Sequence, residues 1–389
     1  MKFSLISHVL PPSWSGQAVM IYRILRGIDP HTYVLISKQN YIKQDISSYT
    51  NRLDGKYYHI SAGISQKIFG RIPFLKKPSI YFDILCRGLA ISRIVLSEHC
   101  DSIIACSGDL IDLPAANLAS QLTGAKLIPY YFDDYVNQWP SDFSRCLAQK
   151  FENKFSKRAV VVIVPNEFLQ DALQKHRFAS ASIVRNSADT ITTKVEIRPL
   201  PTSGEIKIIY SGAIYHVNAS TFRNLIAAIN LVRIPDLRFH IYTAQPLKLL
   251  IKEGIFGNQV VYHEHASSNE IASAQKAAHI VFIPFSFNSI VSEVIRTSAP
   301  GKMADYLASG VPILANVPSD SYVAWYLNKY RCGVVVDNDQ PKPLADAIKL
   351  LIENDDLRSA LSHAALKQAK ADFDPEKNQI KFLDILGGI

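Results

Sequence analysis

Apolar residues in this chain gather in short runs, and stretches with the spacing of amphipathic helices separate those runs. Apolar runs of strand length predict buried strands, whereas apolar residues three or four positions apart predict helices. In the first half, this pattern predicts strands at 3–6, 33–36, 102–105, 126–131 and 160–164, with helices near 17–28, 81–98, 110–122 and 143–157.

The pattern starts again at "SGEIKIIYSGAIY" (203–215). It predicts strands at 206–210, 238–242, 259–262, 280–283, 312–315 and 333–336, with helices near 220–231, 269–277, 300–309 and 343–353. Alternating strands and helices form parallel sheets with right-handed crossovers. Two such series predict an α/β protein of two Rossmann-like domains, in which a ligand binds at the carboxyl ends of the strands.

The length of 389 residues exceeds what one hydrophobic core usually serves, which also favours two domains. The polar, proline-bearing stretch "RNSADTITTKVEIRPLPTSG" (185–204) is the predicted linker. We therefore expect domains at 1–186 and 187–372. A last helix is expected within 373–389, because "DPEKNQIKFLDIL" (374–386) has apolar residues at helical spacing.

Composition indicates a soluble globular protein, since 48% of residues are hydrophobic and 20% are charged. The longest aliphatic run, 159–164, is too short to cross a bilayer, and the first residues are too interrupted for a signal peptide. The five cysteines show neither a CxxC pair nor zinc spacing. We therefore expect a cytoplasmic protein. Its five cysteines are expected to be buried free thiols: Cys86, Cys100, Cys106, Cys146 and Cys332.

The positive charge of the chain is concentrated in its first half. Residues 1–190 hold 22 lysines and arginines against 15 acidic residues, whereas residues 191–389 hold 20 against 19. Within the basic half, "SQKIFGRIPFLKKPS" (65–79) mixes cations with aromatic and aliphatic residues. That mixture suits an anionic membrane interface, with the protein peripheral on the inner face of the membrane. It equally suits a solvated loop whose apolar side packs on the core.

The stretch "RTSAPGKMADYLASGVPI" (296–313) predicts a helix with marked ends. Thr297 and Ser298 can cap its first N–H groups, Pro300 suits the first turn, and Gly310 suits the left-handed position that ends a helix. Lys302 remains unexplained, because the helix dipole disfavours a cation in the first turn. A phosphate bound at the helix start would explain it. The alternative is a capped helix that merely packs on the core.

Several segments, taken in order, resemble the GT-B glycosyltransferases, specifically the large retaining family that uses nucleotide-sugar donors (group 1, or family 4, type). They are "PPSWSGQAVMIYRIL" (11–25), "VVVIVPNEFLQDAL" (160–173), "IVRNSAD" (183–189), "IIYSGAIY" (208–215) and "SAPGKMADYLASGVPIL" (298–314). The resemblance implies two Rossmann-like domains facing each other across a cleft, with the last helix returning to the first domain. It implies a UDP- or GDP-sugar donor, no permanently bound cofactor and no metal held by the protein.

The resemblance also assigns donor-binding residues. Asp305 stands where the family binds the ribose hydroxyls, and Thr297 stands where it usually has a glutamate for the sugar. The family's phosphate clamp falls on Ala213 and about Asn218, so both clamp charges are missing. Lys302, with Arg296 second, is then the cation for the diphosphate, aided by backbone N–H groups near Ser211, Gly212 and 299–302. The predicted donor set is Gly16, Ser211, Gly212, Arg296, Thr297, Ser298, Lys302 and Asp305.

The acceptor side is predicted from "IPYYFDDYVNQWP" (128–140), which places two acids after a strand. Asp133 or Asp134 could orient the acceptor hydroxyl or accept its proton, and with Lys302 they form the predicted catalytic set. Either could instead cap the following helix. His8, after the first strand, is either a polar ligand-facing residue or an ordinary surface histidine.

The resulting expectation is a retaining glycosyltransferase that moves a sugar from a nucleotide-diphosphate sugar to a hydroxyl acceptor. The acceptor would be a glycan or lipid-linked glycan in polysaccharide or cell-envelope synthesis, and nucleic acid is not an expected partner. The missing clamp leaves a second reading, a non-catalytic nucleotide-sugar-binding or partner subunit of the same fold. A GT-B sugar-nucleotide epimerase is a third reading.

Overall fold

The computed structural model describes residues 1–42, 51–61, 73–175, 177–192, 200, 204–264 and 266–388. The chain divides into two compact units, one formed by residues 1–185 and 378–389 and the other by residues 186–377. Each unit is built on one sheet in which every strand pair is parallel. The fold class is therefore as predicted, α/β with two Rossmann-like domains.

The first unit has a seven-stranded sheet in the order β3-β2-β1-β4-β5-β6-β7. Its strands are β1 (Phe3–Ile6), β2 (Tyr33–Ser37), β3 (Lys56–His59), β4 (Ser102–Cys106), β5 (Lys126–Tyr130), β6 (Val162–Val164) and β7 (Ala181–Ile183). Its helices are α1 (Gly16–Leu25), α2 (Pro73–Ser97), α3 (Asp112–Thr123), α4 (Asp142–Phe155) and α5 (Glu167–Gln174). Apolar side chains fill both faces of the sheet, which explains why its strands read as continuous apolar runs.

The second unit has a six-stranded sheet in the order β10-β9-β8-β11-β12-β13. Its strands are β8 (Ile206–Ser211), β9 (Leu237–Thr243), β10 (Val260–Glu264), β11 (Ile280–Pro284), β12 (Ile313–Asn316) and β13 (Val334–Val336). Its helices are α6 (Ala219–Val232), α7 (Leu247–Lys252), α8 (Ser268–Ala277), α9 (Ser292–Thr297), α10 (Gly301–Ser309), α11 (Tyr322–Tyr330), α12 (Pro341–Glu353) and α13 (Asp355–Asp372). The strand order reverses between β8 and β11, so the carboxyl ends of these two strands flank the point where such sheets bind ligands.

The last helix, α14 (Pro375–Gly387), belongs to the first unit from Asn378 onward. Gln379 donates hydrogen bonds of 2.9 Å to the carbonyls of Ile24 and Arg26, which end α1. The ring of Phe382 lies 5.9 Å from that of Phe3 in an edge contact. These contacts join the end of the chain to the core of the first unit.

Two expectations about the chain need correction. Cys86 and Cys146 are exposed, whereas only Cys100, Cys106 and Cys332 are buried thiols. The short strands β3 and β7 were not predicted, because each is only three or four residues long and carries no continuous apolar run. Much of the segment 65–79 lies outside the described residues; its last part, from residue 73, forms the start of α2.

Candidate functional site

Helix α10 begins without a side-chain cap. Its N-cap residue is Pro300, in an extended conformation, and no side chain accepts a hydrogen bond from the first turn within the described structure. Ser298 instead ends the preceding helix α9, and the Thr297 hydroxyl donates to the Glu293 carbonyl at 2.8 Å. The predicted capping of α10 by Thr297 and Ser298 is therefore wrong. The Met303 N–H donates to the Pro300 carbonyl at 2.9 Å, and the N–H groups that come before it are left for a ligand or solvent.

Lys302 lies in that first turn with its ammonium held against an aromatic ring. Its Nζ donates a 3.0 Å hydrogen bond to the Tyr210 hydroxyl and lies 4.5 Å from the centroid of the same ring. Burial lowers the pKa of Lys302 below its ordinary value. The side chain is thus an ordered, partly desolvated cation at a helix N-terminus, where a cation is favourable only with an anion nearby.

Gly212 forms the turn directly after β8 and lies against Lys302. Its φ of +122° is one that L-residues rarely adopt, and a Cβ there would sit 3.4 Å from Cε of Lys302 and 3.6 Å from Nζ. Absence of a side chain therefore keeps open the space beside the ammonium. This geometry is what a phosphate seat at α10 requires, although the role of Lys302 stays a prediction.

The N–H groups of Ser211 and Gly212 are already used within the protein. The Ser211 N–H donates to the Tyr306 hydroxyl at 3.0 Å, and the Gly212 N–H donates to the Tyr242 carbonyl at 2.9 Å. The Ser211 hydroxyl accepts a 2.8 Å hydrogen bond from Gln275. The expectation that these two N–H groups bind phosphate is therefore corrected, and the donors that remain are those at the start of α10.

Asp305 lies one turn beyond Lys302 and binds the segment with which the second unit begins. Its carboxylate accepts a 3.3 Å hydrogen bond from the Asp189 N–H. The Asn186 amide donates to the Ala299 carbonyl at 2.7 Å, next to the start of α10. The segment "NSAD" (186–189) thus packs on α10, so Asp305 makes a structural contact, and its ribose role stays a prediction.

The remaining donor-side positions carry local contacts. Arg296 forms an ion pair of 3.0 Å with Glu293 on its own helix. Asn218, at one clamp position, accepts a 3.0 Å hydrogen bond from the Ser286 N–H. Ala213, at the other, receives a 2.5 Å hydrogen bond on its carbonyl from the Tyr210 hydroxyl, the group that also binds Lys302. Lys302 is therefore the candidate cation that this structure places beside the glycine turn.

In the first unit, the structure separates the two predicted acids. Asp134 is buried, and Arg177 donates to its carboxylate at 2.9 Å. The N–H groups of Val136 and Asn137 also donate to that carboxylate, each at 2.9 Å. Its side chain is thus occupied by structural contacts, as a turn cap would be. Asp133 is half-exposed, which leaves it as the candidate for acceptor chemistry.

Sequence reasoning missed a polar cluster at the carboxyl edge of the first sheet. Lys38, after β2, forms a 2.5 Å ion pair with Asp109, after β4. Burial would disfavour the Asp109 charge, but Lys38 holds the pKa of that carboxyl below its ordinary value. His8, after β1, lies beside Gly108, and burial lowers its pKa. The signal was positional, because each of these residues lies within three positions of the carboxyl end of a strand.

Gly16, the predicted donor contact in the first unit, begins α1. The Ser15 hydroxyl caps this helix by accepting from the Ala18 N–H at 3.3 Å. A Cβ at Gly16 would meet nothing within 4 Å. The position is therefore exposed and free to approach a ligand, although no contact assigns it one.

Residues 205–354 match the family model described as Glycosyl transferases group 1. The second unit thus carries a domain that matches the group 1 glycosyltransferases. The matched range begins one residue before β8 and contains Gly212, Lys302 and Asp305. No curated protein sequence matches the chain.

Solved structures share the fold of the whole chain at low identity. HepE from Anabaena with UDP-glucose covers 100% of both chains at 14% identity and a TM-score of 0.72. Sucrose-phosphate synthase from Thermosynechococcus elongatus covers 100% of this chain and 98% of its own, at 13% identity and a TM-score of 0.70. A Listeria monocytogenes protein named as a UDP-N-acetylglucosamine 2-epimerase covers 98% and 94%, at 12% identity and a TM-score of 0.61. At such identities the likeness shows the fold alone.

Among the residues that the structure describes, no three His, Cys, Asp or Glu side chains are grouped so that they could hold a metal ion. Within the same residues, no helix combines the length and the apolar character needed to cross a bilayer.

Proposed function

We propose that this protein is a glycosyltransferase that transfers a sugar, with retention of anomeric configuration, from a nucleotide-diphosphate sugar to a hydroxyl acceptor. The donor is a UDP- or GDP-sugar, and UDP is favoured because the HepE structure of the same fold holds UDP-glucose. The acceptor is a glycan or a lipid-linked glycan in polysaccharide or cell-envelope synthesis. Retention and the acceptor class follow from the family that the motifs resemble.

The observation that carries the proposal is the ammonium of Lys302 beside Gly212. When the bond between sugar and diphosphate breaks, the diphosphate gains negative charge, and stabilising that charge is the main electrostatic task of the enzyme. A cation already fixed by Tyr210, together with the uncapped N–H groups of α10, meets that need without reorganisation. In this proposal, Lys302 replaces the missing clamp at Ala213 and Asn218.

The other donor residues take supporting roles. Asp305 accepts hydrogen bonds from the ribose hydroxyls. Thr297 contacts the sugar as an acceptor, since its own proton is donated to Glu293. Asp133, on the first unit, orients the acceptor hydroxyl. The reaction needs no metal held by these residues, because cationic and N–H groups meet the diphosphate charge.

A non-catalytic nucleotide-sugar-binding subunit is the second candidate. The absence of clamp charges at Ala213 and Asn218 favours it, since two phosphates would then have one lysine. An epimerase is the third, since a protein named as an epimerase shares the fold. These candidates differ in what becomes of the donor. Only a transferase forms both free nucleotide diphosphate and a glycosylated acceptor.

The deciding experiment combines ligand binding with product analysis. A thermal-shift panel of UDP-, GDP- and ADP-sugars identifies the donor, because a ligand that binds only the native state raises Tm in proportion to ln(1 + [L]/Kd). The identified donor is then incubated with the protein and glycan acceptors, and the nucleotide and sugar products are separated. We expect nucleotide diphosphate release that depends on acceptor. A shift in Tm without release supports the binding subunit, and an epimerised nucleotide sugar supports the epimerase.

A further inference from the structure

Helix α2 (Pro73–Ser97) presents a long apolar stripe to solvent. Five large side chains on one side of the helix are between 39% and 59% exposed. Their positions at helical spacing place them on one face that extends over four turns. These residues, the α2 stripe, are Tyr81, Phe82, Leu85, Leu89 and Leu96.

Tyr81 of the stripe contacts the core, since its ring lies 5.5 Å from the buried Phe151 ring of α4 in an edge contact. The rest of the stripe is not the side by which α2 packs on the protein. Ile84, Ile91 and Val95 on the other side belong to the core of the first unit. There α2 packs so closely on α3 that a Cβ at Gly88 would lie 2.7 Å from the Leu118 side chain. Core packing therefore does not require the rest of the α2 stripe to be apolar, and a solvated helix face normally carries polar residues.

The exposed charges of α2 have one sign, and the exposed acid at the start of α4, Asp142, is paired with Arg145. The single acidic residue of α2, Asp83, is buried. Arg87 is buried too and pairs with Asp112 of α3 at 2.6 Å. The exposed charges of the helix are all cations: Lys76, Lys77 and Arg93.

The neighbouring helix α4 extends this cationic rim. Lys76 Nζ lies 4.7 Å from the centroid of the Phe143 ring, which places the start of α4 beside the start of α2. Lys150 and Lys154 are exposed and follow Phe143 at spacings of seven and eleven residues, so they share its side of α4. The surface thus combines an apolar stripe with cations on two adjoining helices.

We propose that the α2 stripe and its cationic rim dock on an anionic phospholipid bilayer. Aromatic and leucine side chains enter the headgroup boundary, and the lysines meet the phosphate groups. A second copy of the chain is a poorer partner, because a symmetric contact would bring the same cations together. The proposal extends the predicted role of residues 65–79 to a described helix. Docking itself does not depend on the proposed function; only its biological purpose, access to a lipid-linked acceptor, rests on that function.

The test measures vesicle binding by the full chain without nucleotide sugar. Vesicles of phosphatidylglycerol and phosphatidylcholine are compared with vesicles of phosphatidylcholine alone, at low and high salt. We expect cosedimentation with the anionic vesicles that weakens as salt rises, because salt screens the attraction between the lysines and the anionic headgroups. Equal binding to both vesicles, or none, overturns the proposal.

Matched variants separate the stripe from general effects. Phe82→Ser/Leu85→Ser/Leu89→Ser should reduce anionic-vesicle binding by more than tenfold, whereas Leu231→Ser/Leu249→Ser/Ile251→Ser, equally exposed in the second unit, should not. Lys76→Ser/Lys77→Ser should weaken binding several-fold, with Lys248→Ser/Lys342→Ser as its control. All six side chains of the two triple variants are exposed, so circular dichroism melts should stay near that of the parent. Wild-type binding by the stripe triple variant overturns the proposal.

Three further measurements distinguish a bilayer from a second copy of the chain, and loss of docking from loss of activity. A Phe82→Trp variant should show a blue-shifted emission on anionic vesicles, and an unshifted emission contradicts insertion. Concentration-dependent dimerisation in solution that the stripe triple variant abolishes would replace the bilayer by a second copy. Lys302→Ala should bind vesicles normally, so loss of transferase activity and loss of docking can be told apart.

Discussion

Lys302 and Tyr210 are in direct contact in the second unit: the lysine Nζ donates to the Tyr210 hydroxyl at 3.0 Å and lies 4.5 Å from the centroid of its ring. The same hydroxyl donates to the Ala213 carbonyl, so it fixes the glycine turn as well as the cation. Strand β8 supplies the tyrosine and helix α10 supplies the lysine. Their contact therefore sets the distance between the turn and the helix start.

Substituting the glycine of this turn should damage donor binding. Gly212→Ala introduces a Cβ 3.4 Å from the Lys302 side chain and a residue at φ +122°. A strained conformation of this kind costs roughly 1–3 kcal/mol of stability. We expect a lower Tm and weaker binding of the donor, measured by thermal melts and calorimetry. An unchanged donor Kd would show that the space beside Lys302 is not used.

Gly16→Ala provides the matched comparison in the first domain. A Cβ there meets nothing within 4 Å and lies in the first turn of α1, so Tm should not fall. If Gly16 approaches the donor as the resemblance implies, kcat/KM for the donor falls while Tm is maintained. Full activity of Gly16→Ala would remove Gly16 from the donor set.

The two acids of 128–140 should respond differently to loss of charge. Asp134→Ala leaves Arg177 without one of its buried carboxylates, and removing one partner of a buried ion pair costs about 3–5 kcal/mol. Urea unfolding should show this loss. Asp133→Asn should leave unfolding unchanged and lower turnover with acceptor. The reverse result, a stable but inactive Asp134→Ala, would return Asp134 to the catalytic set.

Folding stability should fall in mild acid because of two histidines. His240 Nδ1 and His263 Nε2 lie 2.9 Å apart in stacked rings, and burial lowers the pKa of both imidazoles. Below the ordinary histidine pKa of about 6.5, the unfolded chain then binds more protons than the folded chain, so stability is lost as pH falls. Urea midpoints measured across that range should decrease.

The double variant His240→Gln/His263→Gln isolates this effect from other titrating groups. Its urea midpoint should depend less steeply on pH between neutral and mildly acidic conditions. His363→Gln, at an exposed helix position, serves as the control and should keep the parent slope. Parallel slopes for the double variant and the parent would exclude the histidine pair as the cause.

As pH rises, donor affinity should weaken at a lower pH than it would with a lysine of ordinary pKa. Burial lowers the pKa of Lys302, so the cation is lost as pH rises through that lowered value. As pH rises, the Kd of the donor, measured by calorimetry, should begin to increase before the pH reaches about 10.4, the ordinary pKa of lysine. Lys302→Arg should move this increase to higher pH. A Kd independent of pH in both proteins would contradict charge-dependent seating.

The sequence predicted most of the fold because buried parallel strands are continuous apolar runs. The eleven predicted strands all lie on observed ones, whereas β3 has a mixed pattern of exposed and buried residues and gave no run. The helix near 300–309 was predicted, but its capping was mispredicted, because Thr297 and Ser298 look like caps until the separate helix α9 is known. Sequence alone does not show that α9 ends there.

The site was predictable where one residue type conflicted with its position. Lys302 conflicts with the helix dipole, and Gly212 follows a strand, so both were found in sequence. The partners of the site were not, because Tyr210 is 92 residues from Lys302 along the chain. Likewise Asp133 and Asp134 look equivalent in sequence, and only packing shows that Arg177 takes one of them.

Turnover of Lys302→Met tests the central claim most directly, because methionine keeps the packing on Tyr210 and removes the charge. Loss of a charge-assisted contact worth about 1.5–3 kcal/mol in the transition state should lower kcat by roughly one to two orders of magnitude. Asp305→Asn, as comparison, should raise the KM of the donor with less effect on kcat. If Lys302→Met instead turns over at the parent rate, with the same Tm, Lys302 does not stabilise the leaving diphosphate and α10 is only a packed helix.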